Sequence, residues 1–551
     1  MKKRRSLALA LLSLILFSCS QKEESAFQES GDPSSSEREE SNEQVSSEIV
    51  YGSTYFFDSS KENGNGTMES PFSSFEDIKK IKLEAGDRLL FKKGSSFSGG
   101  ISLMDIHGEK NKPILISSYG EGTLPKIDGN NHLGTGIVYI KNCSYLTFRD
   151  FEIFDSSKEE GDRRGVLVEL SSDTAEIKTY DSIHLENLYI HDVYGISDAE
   201  NAGMSMASKT TGGIHLWSKD GKARSNDFLV RNCHIERVSN VGIATWYKVR
   251  GTKVEKISPY DDSFSQYAHT NLTLEGNEIN DIAKNAIFLR NSLNSKIINN
   301  LVHDTATTCK AGNSIVTSYV ENILVERNEG YRNLASQQKN GNIQDGAMLD
   351  SDLQSKRVLF QYNYSHDNSF GLFLNCNSTS KTTSDEVILR YNVSVNDLGK
   401  KGVIYMNYHI GNMECYNNTI VSTSVSSPIL LEINNDRKMN FYNNLIYCTS
   451  ENPSLKLGNQ TNFFAECNVV YSEKEIAHIE ELENFDSFNP KPKTICGDSL
   501  VERIGMDKAK EFVLMKESKL FDPANCISID SKPTDFLGNE YRESIGAANR
   551  L

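Results

Sequence analysis

Between residues 277 and 468 the apolar positions come in short bursts separated by polar turns, and one polar residue returns in phase with them. Eight segments share a β-prone run, an asparagine and two residues that are usually apolar: LEGNEI, IINNLV, VERNEG, FQYNYS, LRYNVS, CYNNTI, FYNNLI and AECNVV. The repeated residues are Asn277, Asn300, Asn328, Asn363, Asn392, Asn418, Asn444 and Asn468, spaced by 23, 28, 35, 29, 26, 26 and 24 residues. Short strands recurring at this period, with one polar residue held in register, predict a stacked solenoid rather than helices. Asparagines at equivalent corners can hydrogen-bond from coil to coil, as side-chain amides do in stacked sheets. The pattern therefore predicts an all-β chain wound as a parallel β-helix.

Earlier coils carry the same segment without asparagine. RDFEIF, ENLYIHD and RNCHIER place Phe151, Leu188 and Cys233 at the ladder position, and their spacings up to Asn277 lengthen to 37, 45 and 44 residues. Loops are thus expected between those strands. A solenoid's first coil would expose apolar faces and strand edges, so residues 51–112 are read as an N-terminal cap. That cap should hold a short helix begun by Ser73 or Ser74, with Glu76 and Asp77 in its first turn, and a hairpin or strand pair near Arg88–Phe91. Residues 113–472 form the β-helix and 473–551 the C-terminal coils and cap.

The 551 residues carry a net charge of -16, and the N-terminal MKKRR is the one strongly basic stretch. An acidic body repels phosphate backbones, so nucleic acid is not an expected partner. The ten cysteines include no CxxC pair, which argues against structural zinc. Residues 1–19 combine Lys2, Lys3, Arg4 and Arg5 with an apolar run from Leu7 to Phe17, the form of an export signal. Residues 20–50, rich in Ser and Glu, read as a disordered tether. Leu16-Phe17-Ser18-Cys19 resembles the lipobox of bacterial lipoproteins, which implies lipidation of Cys19, membrane attachment through that lipid alone and display on the cell envelope. A monomer is expected.

The opening YFFDSS…GDRLLFKKG, the coil PILISSYGEG…IDG, the unit YNYSHDN and the closing DFLGNEYRESIGA together resemble bacterial right-handed parallel β-helix proteins of the pectate-lyase-like superfamily. The resemblance covers about residues 51–551 and implies that fold. It leaves the chemistry open, because the superfamily includes polysaccharide lyases, glycoside hydrolases, epimerases and non-catalytic adhesins.

A second strand of each coil can be aligned on a small residue: GIHLWSK, GIATWYK, AIFLRNS, SIVTSYV, GAMLDSD, GLFLNCN and GVIYMNY. Because strand side chains alternate, the fifth position faces away from the core. In this alignment it reads Trp217, Trp246, Arg290, Ser318, Asp350, Asn375 and Met406, and two residues on it reads Lys219, Lys248, Ser292, Val320, Asp352, Asn377 and Tyr408. Coils lie roughly 4.8 Å apart, so Trp217 to Asp350 would span about 20 Å, room for several sugar rings. Both tryptophans of the chain fall in one column, and aromatic faces beside Lys, Asp and Asn make a glycan groove the expected use. Trp217, Trp246, Lys219, Lys248 and Asn375 are the candidate substrate contacts.

Asp345, Asp350 and Asp352 form the densest acidic group. Asp350 and Asp352, roughly 6–7 Å apart along a strand, suit the paired carboxylates of glycoside hydrolysis, which stand about 5–9 Å apart. Arg290, His215 and His366 are the assisting candidates. The same three aspartates could instead ligate Ca²⁺. The resemblance implies calcium-dependent lyases that use clustered Asp for metal and Lys or Arg as base, with Arg290, Lys219 or Lys248 in that role here. His191-Asp192, His303-Asp304 and His366-Asp367 recur in one register, which favours a turn device over a catalytic dyad. The expectation is an exported carbohydrate-active enzyme that hydrolyses a polysaccharide. A Ca²⁺-dependent uronate lyase and a non-catalytic glycan-binding surface protein are the alternatives.

Overall fold

Each coil contributes three short strands, and equivalent strands of successive coils pair in parallel and in register. The computed structural model describes residues 48–201, 205–247, 257–335, 345–376, 384–407, 411–434, 438–457, 463–476, 534–537 and 546–547. Thirteen parallel strands, from Ser96–Ser98 to Val469–Ser472, form one face. The other two faces join into a single 25-stranded sheet, because strands such as Asn285–Ile298 run round the corner between them without a break. The result is a right-handed parallel β-helix. Inward residues from all three faces, among them Ile214, Ile243, Ile287, Ile279 and Ile297, are at most 1% exposed and fill one continuous core.

The predicted ladder runs from Asn277 to Asn468. The Oδ1 of Asn300 accepts from the backbone N–H of Asn277 at 3.0 Å and from its side-chain amide at 2.9 Å, and the same pair of bonds joins each later neighbour. Each Nδ2 also donates to a backbone carbonyl of the preceding coil, as Asn363 does to Val325 at 3.0 Å. The residue before each asparagine sits in the left-handed region, from Gly276 (φ 64°) to Tyr362 (φ 56°) and Cys467 (φ 52°). That conformation is unfavourable for a bulky residue such as tyrosine. It persists because the ladder pairs the backbone N–H and side-chain amide of the asparagines at the corner it creates.

The coils begin earlier than expected. Thr54–Phe57 pairs in parallel with Arg88–Lys92, which pairs with Ile114–Tyr119. The strands near Arg88 are therefore coil strands and not a hairpin, and parallel stacking starts inside the expected cap. The predicted helix is present as a 3₁₀ segment, Phe75–Lys80. Its start is held by the Asp77 carboxylate, which accepts from the N–H groups of Ser73 and Ser74. At the other end, Phe536 and Ala547 of the closing motif pack on a tyrosine stack that includes Tyr362, Tyr391 and Tyr416. Tyr362 donates to the Thr534 carbonyl at 2.5 Å. Cys19 and residues 20–47 of the expected tether lie outside the described residues, while Val50 at its end donates its N–H to the Asn111 carbonyl at 2.9 Å.

Replacing Asn363 with alanine would strand the buried N–H of Asn328 and the carbonyl of Val325. The expected loss is about 2–4 kcal/mol, read as a lowered midpoint in urea unfolding; an unchanged midpoint would show that the ladder carries no stability.

Candidate active site

On the face that contains Gly212–Ser218, strand pairing fixes two outward columns. One reads Leu167, His215, Ala244, Phe288, Val316, Asp350, Leu374 and Tyr405. The next reads Glu169, Trp217 and Trp246, then Arg290 and Ser318. Asp352 extends this second column, since its N–H donates to the Thr317 carbonyl at 2.9 Å. Asp350 thus lies in the His215 column, two residues from the tryptophan–arginine column expected for it. The reason is Gly346, which has φ 121° and forms a bend before the strand instead of its first residue. A Cβ there would come within 2.4 Å of Ser369 Oγ, so the bend requires glycine.

Below these columns, at the corner leading into the face, opens a cavity of about 350 Å³. Trp246, Phe288, Val316 and Leu374 give it apolar walls, and Lys209, Lys284, Asn285, Arg290, Asn313, Asp345, Asp350, Asp352 and Cys376 bring polar groups. Trp246 stacks on Phe288 with centroids 5.3 Å apart. The Arg290 guanidinium lies over both the Trp246 ring (5.4 Å) and the Tyr319 ring (4.6 Å), so its charge is aimed by two aromatic faces. His269 is fully buried behind them: its Nδ1 accepts from the Ser225 N–H at 3.0 Å, which leaves Nε2 to donate to the Trp246 carbonyl at 3.2 Å. Burial pushes the pKa of that imidazole down to about 4, so it is a neutral strut.

The three aspartates meet this cavity differently. Asp345 and Asp352 are surrounded by protein but keep part of their surface open. Asp345 accepts from the Gly312 N–H at 2.8 Å and faces Lys284. Asp352 faces Arg290 and Lys209. Asp350 is 5% exposed, and its Oδ2 accepts from Asn313 Nδ2 at 2.6 Å. Burial raises the pKa of all three above the usual carboxylate range; Asp350, pressed further by the charges of Asp352 and Asp345, rises well above it. The cations of Lys284, Arg290 and Lys209 work against burial for Asp345 and Asp352, whereas Asp350 has only the Asn313 amide. Of the three, Asp350 is therefore the carboxyl group driven furthest toward its neutral form.

Of the residues singled out from sequence, Trp246, Arg290, Asp345, Asp350 and Asp352 share this cavity. Others do not reach it. Trp217 lies outside it, covered by the Arg164 guanidinium at 4.7 Å, and Lys219 is drawn aside by Glu169 at 3.0 Å. His215 is fully buried; burial and Arg164 lower its pKa to about 3, so it is a neutral core group and no acid or base for a groove. Asn375 pairs with Ser351, in the inward column, and is 1% exposed. The alignment had slipped by one residue there, which exchanges the two faces of a strand. His366 sits on the thirteen-stranded face, where it bonds to Asp367 and lies 3.4 Å from Glu329. His191, His303 and His366 each bind the following aspartate at 2.6–2.7 Å, and each of those aspartates has a left-handed backbone. They are turn devices. Lys248 lies outside the described residues. Among the described residues no three His, Cys, Asp or Glu side chains converge as a metal site would require, so Asp345, Asp350 and Asp352 do not form the calcium set considered for them.

Sequence reasoning missed Lys209, Lys284 and Asn313. Asn313 is the one with a signal: it follows Gly312 just before a strand, and its Oδ1 accepts from the N–H groups of both Gly346 and Ala347. Lys209 reaches the cavity from an insertion between coils, and no repeat position marks it.

No family model matches the chain. It is 26% identical over 473 residues to a lacto-N-biosidase of Bifidobacterium longum subsp. longum, an alignment that takes in 72% of this chain and 29% of that enzyme. The chain therefore spans less than a third of the length of this curated relative. Among solved structures it resembles a GH136 lacto-N-biosidase from Eubacterium ramulus, with a TM-score of 0.58 and 24% identity over 74% of this chain and 68% of that one. The selenomethionine derivative of the same enzyme gives a TM-score of 0.57 over 77% and 68%. At this identity the structural likeness establishes the shared β-helix fold.

His215 has a folded pKa depressed below its unfolded value of 6.5. The unfolded chain then binds the proton first, so this group's contribution to stability is present above about pH 6.5 and falls as pH drops toward 3. In H215Q, the decline in unfolding free energy between about pH 6.5 and 4.5 should be shallower than in the parent by up to ~1.4 kcal/mol per pH unit. Identical slopes would place the histidine in a solvated site.

Proposed function

We propose that the chain is a glycoside hydrolase that releases lacto-N-biose or a closely similar saccharide from a larger glycan. The supporting observation is the pair of part-open carboxyl groups, Asp345 and Asp352, facing one cavity under different cationic partners. The sequence relationship to a lacto-N-biosidase supplies the substrate class. Glycoside hydrolysis needs one carboxyl group to protonate the leaving oxygen and one carboxylate to attack the anomeric carbon or activate water. Asp352, beside both Arg290 and Lys209, is better held as the anion and takes the second role. Asp345 is opposed by Lys284 alone, whose own charge is disfavoured by burial, and takes the role of acid. The Trp246–Phe288 wall offers a face for a sugar ring and Arg290 a donor beside it. This pairing departs from the one expected from sequence, Asp350 with Asp352, because Asp350 is buried against Asn313.

A saccharide in which lacto-N-biose is joined to a further sugar, a leaving group that must be protonated, tests the reading. Asp345→Asn and Asp352→Asn should each lower kcat/KM by at least about 10³-fold, with azide restoring turnover to D352A. Activity surviving in both variants would sink the assignment. Absorbance of an unsaturated uronide, produced from a uronate polymer and lost on chelation, would instead support a lyase.

Export and lipid attachment at Cys19 belong to the same proposal and rest on the Leu16–Cys19 sequence. Palmitate labelling in a bacterial host should be lost in Cys19→Ala; label retained in that variant would remove the anchor.

A further inference from the structure

The two part-open aspartates leave Asp350 without a role, although it forms part of the same cavity wall. Its surroundings define what it can do. Oδ2 is occupied by the Asn313 amide at 2.6 Å. Asn313 is itself locked, because its Oδ1 accepts from the N–H groups of Gly346 and Ala347 at 2.9 Å each, which fixes its Nδ2 as the group turned to Asp350. The second oxygen, Oδ1, is buried and has no hydrogen-bond partner among the described residues. Trp246 Nε1, in the wall of the same cavity, is also buried without a partner.

A buried polar atom left unpaired is unfavourable, and in a binding cavity the missing partner is commonly the ligand. An indole N–H can only donate. Asp350 has Asp352 and Asp345 as neighbours and no cation opposing them, which with its burial favours the protonated form. With Oδ2 accepting from Asn313, that proton belongs on Oδ1. The cavity wall thus presents two donors with no acceptor among the described residues.

We propose that Asp350 is a neutral hydrogen-bond donor that, together with Trp246 Nε1, binds an acceptor oxygen of the saccharide, and that it is neither the acid nor the nucleophile of the reaction. This inference rests on the assignment of Asp345 and Asp352 as the reacting pair. A ketosteroid-isomerase-like use of a protonated aspartate as donor is the chemical parallel. An uncharged donor suits a site that must bind an uncharged sugar oxygen beside the Asp352 carboxylate, since a second negative charge there would repel electron-rich oxygens.

The test exploits the fact that asparagine copies a protonated aspartate in shape: its Oδ1 can accept from Asn313 while its Nδ2 donates to the cavity. On the lacto-N-biose glycoside, D350N should lose no more than about tenfold in kcat/KM, with both limbs of the pH profile kept. Asp350→Leu, similar in volume but without a donor, should lose at least a hundredfold, chiefly through a raised KM. D345N and D352N serve as references on the same substrate. The proposal is overturned if D350N is as inactive as D352N, if it removes one limb of the pH profile, or if D350L is as active as D350N. Thermal unfolding of D350N and D350L, both expected within a few degrees of the parent, separates a binding defect from a folding one. If D345N and D352N remain active while D350N is inert, the assignment of the reacting pair fails; if both references behave as expected and only the D350N–D350L contrast is missing, the donor role alone fails.

Discussion

Every other property of this molecule depends on the coil-to-coil register of its backbone. Parallel strands place each residue directly over its counterpart roughly 4.8 Å away, so a side chain in one coil becomes a neighbour of one that is 23 or more residues distant. The amide ladder enforces that register at one corner. Asn277 through Asn468 bond both to the next asparagine and to the backbone of the preceding coil, leaving little freedom for a slip. A coil that slipped by one residue would turn its core outward and break the bonds of its buried asparagine to both neighbouring coils. Variation in length is therefore confined to loops, and the long spacings between Phe151 and Asn277 are where such loops occur.

The same register explains how three carboxyl groups can be held close together. Charged groups of like sign are unfavourable in a buried corner unless some give up their charge or find cations. Here Arg290 is delivered to Asp352 by its own column, Lys284 to Asp345 by the corner, and Lys209 by the short helix Met206–Lys209. Asp350 has no cation opposing its acidic neighbours, and burial favours its neutral form. The division of labour within the cluster thus comes from which column or corner each cation occupies.

Repetition made the fold readable, because eight copies of one corner give the period, the face and the polar residue in a single comparison. The site is the part of each coil that does not repeat, and there the sequence was legible only in pieces. IQDGAMLDSD was recognisable as the acidic cluster and Trp246 and Arg290 as companions. Their arrangement was not, because Gly346 looks like the small residue that opens a strand in other coils yet makes a left-handed bend before it. That two-residue shift moved Asp350 into a different column, and the further slip at GLFLNCN turned Asn375 outward on paper when it points into the core. Trp217 and Lys219 were placed on the correct face, but their covering partners Arg164 and Glu169 sit on the coil before, at positions with no feature to announce them. Alignment by residue type fails where a turn residue is used for a different turn.

A second, shorter stack of polar side chains gives the site its rigidity. Asp397 accepts from the N–H of Asn368, Asn368 accepts from the N–H of Asn333, and the Asn333 amide donates to the carbonyl of Gly312 at 2.9 Å. Gly312 in turn gives its N–H to Asp345. Four coils are thus tied, bond by bond, to one cavity-facing carboxyl group. Asp397 is fully buried at the far end, held by Ser365 and Ser394 hydroxyls at 2.6 Å each. Hydrogen-bonded supports of this kind fix a functional group's position before a ligand arrives, so little reorganisation is left for the reacting geometry. The device that builds the scaffold, one side-chain amide bonded to the next coil's backbone, is used again at the opposite corner to aim a carboxyl group. That explains why polar residues occur so densely in the interior of a fold whose core is otherwise isoleucine, valine, leucine and phenylalanine.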